Sequence, residues 1–302
     1  MTPAQARSLL AAPELLAAAS ATDLRTGERL RETWSADLVA AASEQAALRQ
    51  RAAEKFGHSK EMLFTRAGLE QATAEIVAGH RARRFTGLDG LVLDLCCGIG
   101  GDAVALAQAA RDVVGVDRDQ VHAMFTRHNA RVHDIEMATV VADVRDVRVD
   151  GARAVFIDPA RRTTSGLADT RGGSSPPLDW CVSLPVERVC VKAAPGLHRS
   201  VVPEGWEVEF VAVGRDLKEA VLWSPSWGSP AWGSPARRSA ASRATVLPAG
   251  DTLTADPTTA AAPVRPPGDF LLDPSPAVTR AGAVADLAAR LDAWQIDPRI
   301  AF

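Results

Sequence analysis

Positive and negative charges nearly balance in this sequence, so it lacks a strong excess of either sign. It has 34 lysines and arginines against 37 aspartates and glutamates, a formal net charge of −3. A protein that binds nucleic acid non-specifically needs a broad positive field, which this composition does not supply. A nucleic-acid ligand would therefore have to be held by local basic patches.

Cysteine is scarce, and long apolar runs are lacking. The four cysteines contain no C-x-x-C pair, which argues against a zinc site or a disulfide framework and fits a reducing cytoplasm. No apolar run approaches the roughly 18 residues of a membrane span, and the alanine-rich N-terminus lacks the pattern of a signal peptide. We therefore expect a cytoplasmic protein with no bound metal and no membrane partner.

Apolar residues, by contrast, are plentiful. They make up 47% of the 302 residues, enough to bury the core of one large domain and a smaller one. Helix-forming residues dominate positions 3–57, with breaks near Pro13 and at 20–27. This pattern predicts three helices, of which 37–55 is the longest.

A basic run follows in the next segment of the chain. Arg81, Arg83 and Arg84 stand where a predicted helix ends. Such a run indicates either a solvated helix end, stabilised by the helix dipole, or a patch that faces phosphate.

The most informative stretch is LVLDLCCGIGGD, residues 91–102. An apolar run carrying Asp94 leads into Gly98 and Gly100, and helix-forming residues follow, which is the order strand, glycine turn, helix. Glycine lets the backbone take positive φ and approach a ligand, and the helix start offers free N–H groups. The next apolar run ends in Asp117, 19 residues after Gly98, a spacing at which an acid reaches ribose hydroxyls.

The same glycines also fit a dinucleotide fingerprint, Gly98-x-Gly100-x-x-Ala103. Further acids argue against a dinucleotide site, because Asp143 and Asp158 each follow another apolar run. Four successive predicted strands thus end in acids, on one rim of a sheet. A turn or cap role for Asp143 stays open, because aspartate favours both.

Strand-like and helix-like segments alternate after residue 90, which predicts a parallel sheet with right-handed crossovers. Two further strands close together predict an antiparallel hairpin at the end of the sheet, a feature that an NAD-binding Rossmann domain lacks. The predicted strands are 91–95, 112–117, 138–142, 153–157, 187–192, 206–213 and 219–224, with helices at 102–110, 119–132 and 161–184.

These features together resemble the class I S-adenosylmethionine (SAM)-dependent methyltransferases over about residues 88–225. The resemblance implies SAM as cofactor and an α/β fold: a Rossmann-like seven-stranded methyltransferase sheet with a terminal antiparallel hairpin, preceded by a small helical bundle. In the family pattern Asp94 lies near the ammonium group of the cofactor, Asp117 holds the ribose hydroxyls, and Asp143 accepts from the adenine amine. The full set of expected cofactor-binding residues is Asp94, Cys96, Gly98, Gly100, Asp102, Asp117, Arg118, Asp143 and Val144.

The string Asp158-Pro159-Ala160-Arg161, called here the acceptor motif, carries the substrate-side resemblance. It is similar to the (Asn/Asp/Ser)-Pro-Pro-aromatic motif of methyltransferases that act on exocyclic or ring nitrogens of bases. This implies catalytic roles for Asp158 and for the Pro159 carbonyl, which would accept hydrogen bonds from the target amine. Arg161 replaces the stacking aromatic, and a guanidinium plane can stack or bind phosphate.

Two closer resemblances concern the substrate. LFTRAGLEQAT, residues 63–73, together with the glycine turn resembles the trimethylguanosine-synthase type of RNA guanine-N2 methyltransferase. With the string IDPARR, the chain resembles still more a bacterial methyltransferase group that carries a C-terminal THUMP-like domain, a type of domain associated with RNA. The resemblance implies an RNA substrate, either tRNA or rRNA. The expected substrate-binding residues are Phe64, Thr65, Arg161 and Arg162.

Other functions stay open from the sequence. The near-balanced charge is compatible with a small-molecule or protein methyltransferase, and a non-catalytic SAM- or RNA-binding module is a further alternative. RNA uracil-C5 methyltransferases share the DPAR string, but their chemistry requires an activated cysteine in a downstream loop. No cysteine follows Cys190 here, which argues against that mechanism.

We expect four regions along the chain. The Gly/Ser/Pro/Ala-rich part contains a tandem WGSPA repeat, and the last region is expected to begin a truncated THUMP-like domain. The regions are 1–58, an N-terminal helical domain; 59–225, the methyltransferase domain; 226–268, loop and linker; and 269–302, a C-terminal helical segment.

Overall fold

In the computed structural model, which describes residues 1–19, 23–161, 174–228 and 241–300, the chain forms two units. The first unit is Met1–Arg153 and the second is Ala154–Phe302. No described helix is long and apolar enough to cross a bilayer. Within the same residues, no group of three or more His, Cys, Asp and Glu side chains is arranged to hold a metal ion.

Helices open the first unit. Within its described residues four of them precede residue 53, where the sequence predicted three. Pro13 begins a helix instead of breaking one, because proline at the first helical position loses no hydrogen bond. The helices are α1 (Pro3–Leu10), α2 (Pro13–Ala18), α3 (Leu24–Leu30) and α4 (Ala36–Ala52), followed by α5 (Arg66–Gln71) and α6 (Glu75–Ala82).

Three parallel strands and two helices complete the first unit. Strands β1 (Leu91–Leu95) and β2 (Asp112–Asp117) have the bounds predicted from the sequence, and β3 is Ala138–Val141. They lie in the order β1-β2-β3, with α7 (Gly101–Ala109) and α8 (Gln120–Val132) as the connections. The N-terminal helices pack against α8 through a buried apolar cluster that includes Leu9, Leu15, Val39, Leu63 and Phe125.

The second unit holds six strands of the main sheet, in the order β11-β10-β8-β9-β7-β4. The predicted hairpin is formed by β8 and β9, but it is not the edge of the sheet, because β8 also pairs in parallel with β10. The strands are β4 (Ala154–Ile157), β7 (Arg188–Ala193), β8 (Glu207–Val213), β9 (Asp216–Trp223), β10 (Ser242–Leu247) and β11 (Asp251–Ala255). A separate ribbon joins β5 (Ala160–Arg161) to β6 (Ser174–Ser175), and the helices are α9 (Leu178–Val182), α10 (Pro276–Ala281) and α11 (Val284–Leu291).

The prediction of seven strands was therefore wrong, since the described residues place nine in the main sheet. The two additional strands, β10 and β11, lie in the range 226–268 that was expected to be loop and linker. Each is short and lies near Pro, Gly and Ala, so its strand character depends on its neighbour in the sheet, which is β8 for β10 and β10 for β11. Of the helix predicted at 161–184, only α9 lies within the described residues.

Candidate cofactor and acceptor sites

The glycine loop, residues 96–101, joins β1 to α7. Cys96, Gly98 and Gly100 have φ of +66°, +57° and +90°, which are left-handed conformations that favour glycine. A Cβ placed on Gly100 would come within 3.1 Å of the Thr126 Cα, whereas one placed on Gly98 meets no protein atom within 4 Å. The loop is therefore packed against α8 at Gly100 and presents open backbone at Gly98.

A polar stripe on α8 holds this loop. Thr126 Oγ1 donates to the Gly98 carbonyl at 2.7 Å, and Asn129 Nδ2 donates to the Ile99 carbonyl at 2.8 Å. Both side chains are fully buried. Sequence reasoning missed them, although His122, Thr126 and Asn129 share one helix face by their spacing. The signal was the recurrence of these three polar residues at helical spacing next to the apolar positions Val121 and Phe125.

The segment ahead of α5 is pinned by two buried amides. Gln45 accepts from the Phe64 N–H at 2.9 Å and donates to the Phe64 carbonyl at 2.7 Å. Asn129 makes the equivalent pair with Leu63, at 2.8 and 3.0 Å. Phe64 itself is fully buried in a cluster with Ile99 of the glycine loop. Its ring packs against the loop, and a contact between Phe64 and a substrate stays a prediction.

Two acids at strand ends flank the glycine loop. Asp94 is fully buried in β1, and Asp117 is buried at the end of β2. The Asp117 carboxylate accepts from the Gly98 N–H at 2.9 Å and from the Asp119 N–H at 2.8 Å. Since an ionised carboxylate has about four acceptor positions, Asp117 braces the loop and keeps capacity for a ligand hydroxyl. Arg118, next in the chain, is exposed.

A short relay connects Asp117 to the segment ahead of α5. His122 lies with Nε2 3.0 Å from Thr65 Oγ1 and with Nδ1 3.9 Å from Asp117 Oδ1. Thr65 also caps α5, because its Oγ1 accepts from the Gly68 N–H at 2.9 Å. Thr65 is thus linked to Asp117 through His122, a contact that the sequence did not reveal.

Asp143 acts as a cap in this structure. Its carboxylate accepts from the Arg145 N–H at 3.0 Å and from the Arg145 guanidinium at 2.6 Å. These hydrogen bonds hold the pKa of Asp143 well below its usual range. The neighbouring Val144 is buried. Asp143 therefore makes the capping contact that the sequence left open. Its contact with the adenine amine stays a prediction.

Asp102 lies in the first turn of α7 and is buried with α6. Its carboxylate accepts from the guanidinium of Arg81 and, at 2.7 Å, from Thr73 Oγ1. Arg81 is 1% exposed, so this residue of the basic run is neither solvated nor available to phosphate. This pair ties α6 to α7, and a cofactor contact for Asp102 stays a prediction.

The acceptor motif lies in the second unit, directly after β4. Register pairs Ile157 with Val191, which brings Asp158 beside Lys192 at the same end of neighbouring parallel strands. Lys192 Nζ donates to Asp158 Oδ2 at 2.5 Å, and the Asp158 side chain is 29% exposed. Pro159 is buried. Arg162 and the side chain of Arg161 lie outside the described residues.

The cysteines are poorly placed for nucleophilic chemistry. Cys97, Cys181 and Cys190 are buried, and Cys96 lies in the glycine loop. Burial raises the pKa of Cys97 well above its usual value and that of Cys181 to about 12. Because the thiolate is the reactive form, these two side chains stay inert near neutral pH.

Comparison with known proteins agrees with this geometry. A family described as RNA cap guanine-N2 methyltransferase matches residues 89–236, and a domain family of unknown function matches residues 4–52. Over 273 residues the chain is 38% identical to an uncharacterised SAM-dependent methyltransferase of Mycobacterium tuberculosis, covering 86% of this chain and 72% of the relative. The chain belongs to the SAM-dependent methyltransferases.

The chain is also similar to a solved structure and to an RNA methyltransferase. A crystal structure of a proposed methyltransferase from Porphyromonas gingivalis W83 has a TM-score of 0.67 at 20% identity, over 85% of this chain and 68% of that one. A tRNA (uracil(54)-C(5))-methyltransferase of Pyrococcus horikoshii is 31% identical over 93 residues, or 31% of this chain and 20% of the relative. The predictions of an α/β methyltransferase fold and of SAM as cofactor are confirmed.

The residues of the first unit fit this cofactor. SAM presents an ammonium group and two ribose hydroxyls, which are donors that carboxylates accept. Asp94 and Asp117 supply carboxylates at strand ends, and the open backbone at Gly98 leaves room for a ligand group to approach. The two carboxylates and the geometry of the glycine loop therefore agree with the family assignment.

Proposed function

We propose that this methyltransferase methylates an amino or ring nitrogen of a guanine or adenine in tRNA or rRNA. The observation that carries the proposal is the acceptor motif, in which a partly exposed Asp158 carboxylate is held by Lys192 at the end of β4. The match of residues 89–236 to a family described as RNA cap guanine-N2 methyltransferase supports a base nitrogen in RNA.

In this proposal the first unit holds the cofactor. Asp94 would accept from its ammonium group, Asp117 from its ribose hydroxyls and Asp143 from its adenine amine, and the open backbone at Gly98 would face its methionine part. Bound there, SAM supplies an electrophilic methyl group on a sulfonium. The protein's task is then to align donor and acceptor and to fix the charges around them.

The acceptor side uses Asp158 and Pro159. Both the Asp158 carboxylate and the Pro159 carbonyl accept hydrogen bonds from the target N–H groups, which orients the nitrogen lone pair. As the nitrogen forms its bond to the methyl carbon, the carbon–sulfur bond breaks and a neutral thioether leaves. Positive charge develops on the nitrogen, and the Asp158 carboxylate stabilises that charge. The nitrogen then loses a proton, for which Asp158 is the nearby acceptor in this scheme.

Uracil-C5 methylation, the reaction named for the Pyrococcus horikoshii relative, is disfavoured for this chain. That chemistry adds a thiolate to the base ring, so it needs an accessible cysteine of low pKa. Cys190, the last cysteine in the sequence, is fully buried within β7. We therefore keep a base nitrogen as the target.

The test is transfer of labelled methyl from SAM to total bacterial RNA and, separately, to a protein and metabolite extract. We expect label in RNA, and we expect Asp158→Ala to abolish this label while SAM binding is retained. Undiminished transfer to RNA by Asp158→Ala would remove Asp158 from the mechanism. Label only in the other pool would replace RNA by a protein or small-molecule substrate, and SAM binding without any transfer would favour a non-catalytic module.

A further inference from the structure

Lys192 is the only strand lysine that reaches the acceptor motif among the described residues. It stands near the end of β7, beside Val191 and opposite Val221 of β9, so apolar strand residues surround its backbone. Its side chain is 11% exposed, and its Nζ donates to Asp158 Oδ2 at 2.5 Å. An ammonium group this strongly desolvated is costly unless it is paired, which indicates that the pair is built into the fold.

The two oxygens of Asp158 are not equivalent in this arrangement. Oδ2 accepts from Lys192, whereas within the described part of the chain no hydrogen bond reaches Oδ1. The side chain remains partly exposed, so Oδ1 can receive a donor from a ligand. A charge-assisted hydrogen bond at 2.5 Å is short, and it fixes the rotation of the carboxylate plane.

We propose that Lys192 is a positioning residue, which holds the Asp158 carboxylate turned so that Oδ1 accepts from the target N–H. This inference rests on the proposed function, because it gives Asp158 the acceptor role. Lys192 acts through Asp158 and does not itself touch the methyl group. Removing the Lys192 ammonium lets the Asp158 carboxylate rotate, so the target nitrogen is aligned with the methyl group less often.

The experiment measures kcat and KM for methyl transfer to total bacterial RNA, with SAM affinity and Tm recorded for each variant. Lys192→Met is expected to lower kcat by roughly 10- to 100-fold, the range for losing a hydrogen bond to a charged group, with SAM affinity unchanged. Lys192→Arg should restore part of the rate, since it keeps the charge and a donor. Lys218→Met is the matched control, because Lys218 makes an exposed ion pair with Asp216 on β9.

A double-mutant cycle separates positioning from a merely structural role. In an Asp158→Asn background, adding Lys192→Met should cause no further loss of kcat, because the group through which it acts is already changed. An equal loss in both backgrounds, or a wild-type rate for Lys192→Met, would overturn the inference. If Lys192→Met does not fold, Lys192→Gln enters the same cycle as a neutral donor and is judged by the same outcomes.

Failure of the proposed function gives a different result. In that case the wild-type protein labels no RNA, and the inference falls with it. If wild-type protein labels RNA and Asp158→Asn does so equally well, the function stands and the positioning role of Lys192 is refuted.

Discussion

Replacing Gly98 by alanine is expected to weaken SAM binding with little loss of stability. Gly98 has φ of +57°, so alanine there costs about 1–2 kcal/mol of unfolding free energy for the left-handed conformation. The added Cβ meets no protein atom within 4 Å, so no packing penalty is added. If SAM lies against this backbone, the alanine side chain occupies space that SAM needs. We therefore expect Kd for SAM to rise at least about tenfold, or about 1.4 kcal/mol.

Gly100→Ala provides the contrast within the same loop. Its φ is +90°, and the new Cβ would lie 3.1 Å from the Cα of Thr126, which is backbone that cannot turn away. Overpacking costs about 1–3 kcal/mol, and the left-handed conformation adds about 1–2 kcal/mol. We therefore expect the unfolding free energy of Gly100→Ala to fall by about 2–5 kcal/mol, a larger loss than for Gly98→Ala.

Gly214→Ala is the matched control. Gly214 lies in the turn between β8 and β9, also has φ of +57°, and also has no atom within 4 Å of an added Cβ. It therefore reports the cost of the left-handed conformation alone. Titration calorimetry with SAM and urea unfolding of the three variants decide the matter: wild-type affinity in Gly98→Ala would refute the placement of the cofactor against this loop.

Three further predictions follow from the first unit. Arg81→Met leaves Asp102 buried without its cation, so urea unfolding should show a loss of about 3–5 kcal/mol, and a loss below about 1 kcal/mol would contradict the buried pair. His122→Ala breaks the relay to Thr65, so calorimetry should show Kd for SAM raised about three- to tenfold, with an unchanged Kd as the contrary result. Burial lowers the pKa of His128 and of His133 below 6.5. The unfolded chain therefore takes up protons first on acidification, and this stability is lost as the pH falls below about 6.5. Tm should drop between about pH 7.5 and about pH 5.5, and glutamine at both positions should reduce that drop. An equal drop in Tm with glutamine at both positions would contradict this prediction.

The glycine loop and its acids could be predicted because their signals are local. The strand, the turn glycines and Asp117 lie within one stretch of chain, and their spacing follows from strand, loop and helix lengths. The bounds of β1 and β2 were predicted for the same reason. What the sequence predicted well is therefore the part whose geometry the backbone sets by itself.

The pairings that sequence reasoning missed join distant parts of the chain. Asp102 pairs with Arg81, 21 residues before it, and Lys192 pairs with Asp158, 34 residues before it. No local periodicity records such a pair, since it depends on which strands and helices become neighbours. Strand β10 is similar, because it forms in register with β8 from a segment whose composition resembles a linker.

The most direct test of the account is the identity of the methylated nucleoside. RNA labelled by this methyltransferase would be digested to nucleosides and analysed by mass spectrometry, with Asp158→Ala as the control. We predict a methyl group on an amino or ring nitrogen of guanine or adenine, absent from the control. A methyl group on uracil C5 or on a ribose oxygen would contradict it.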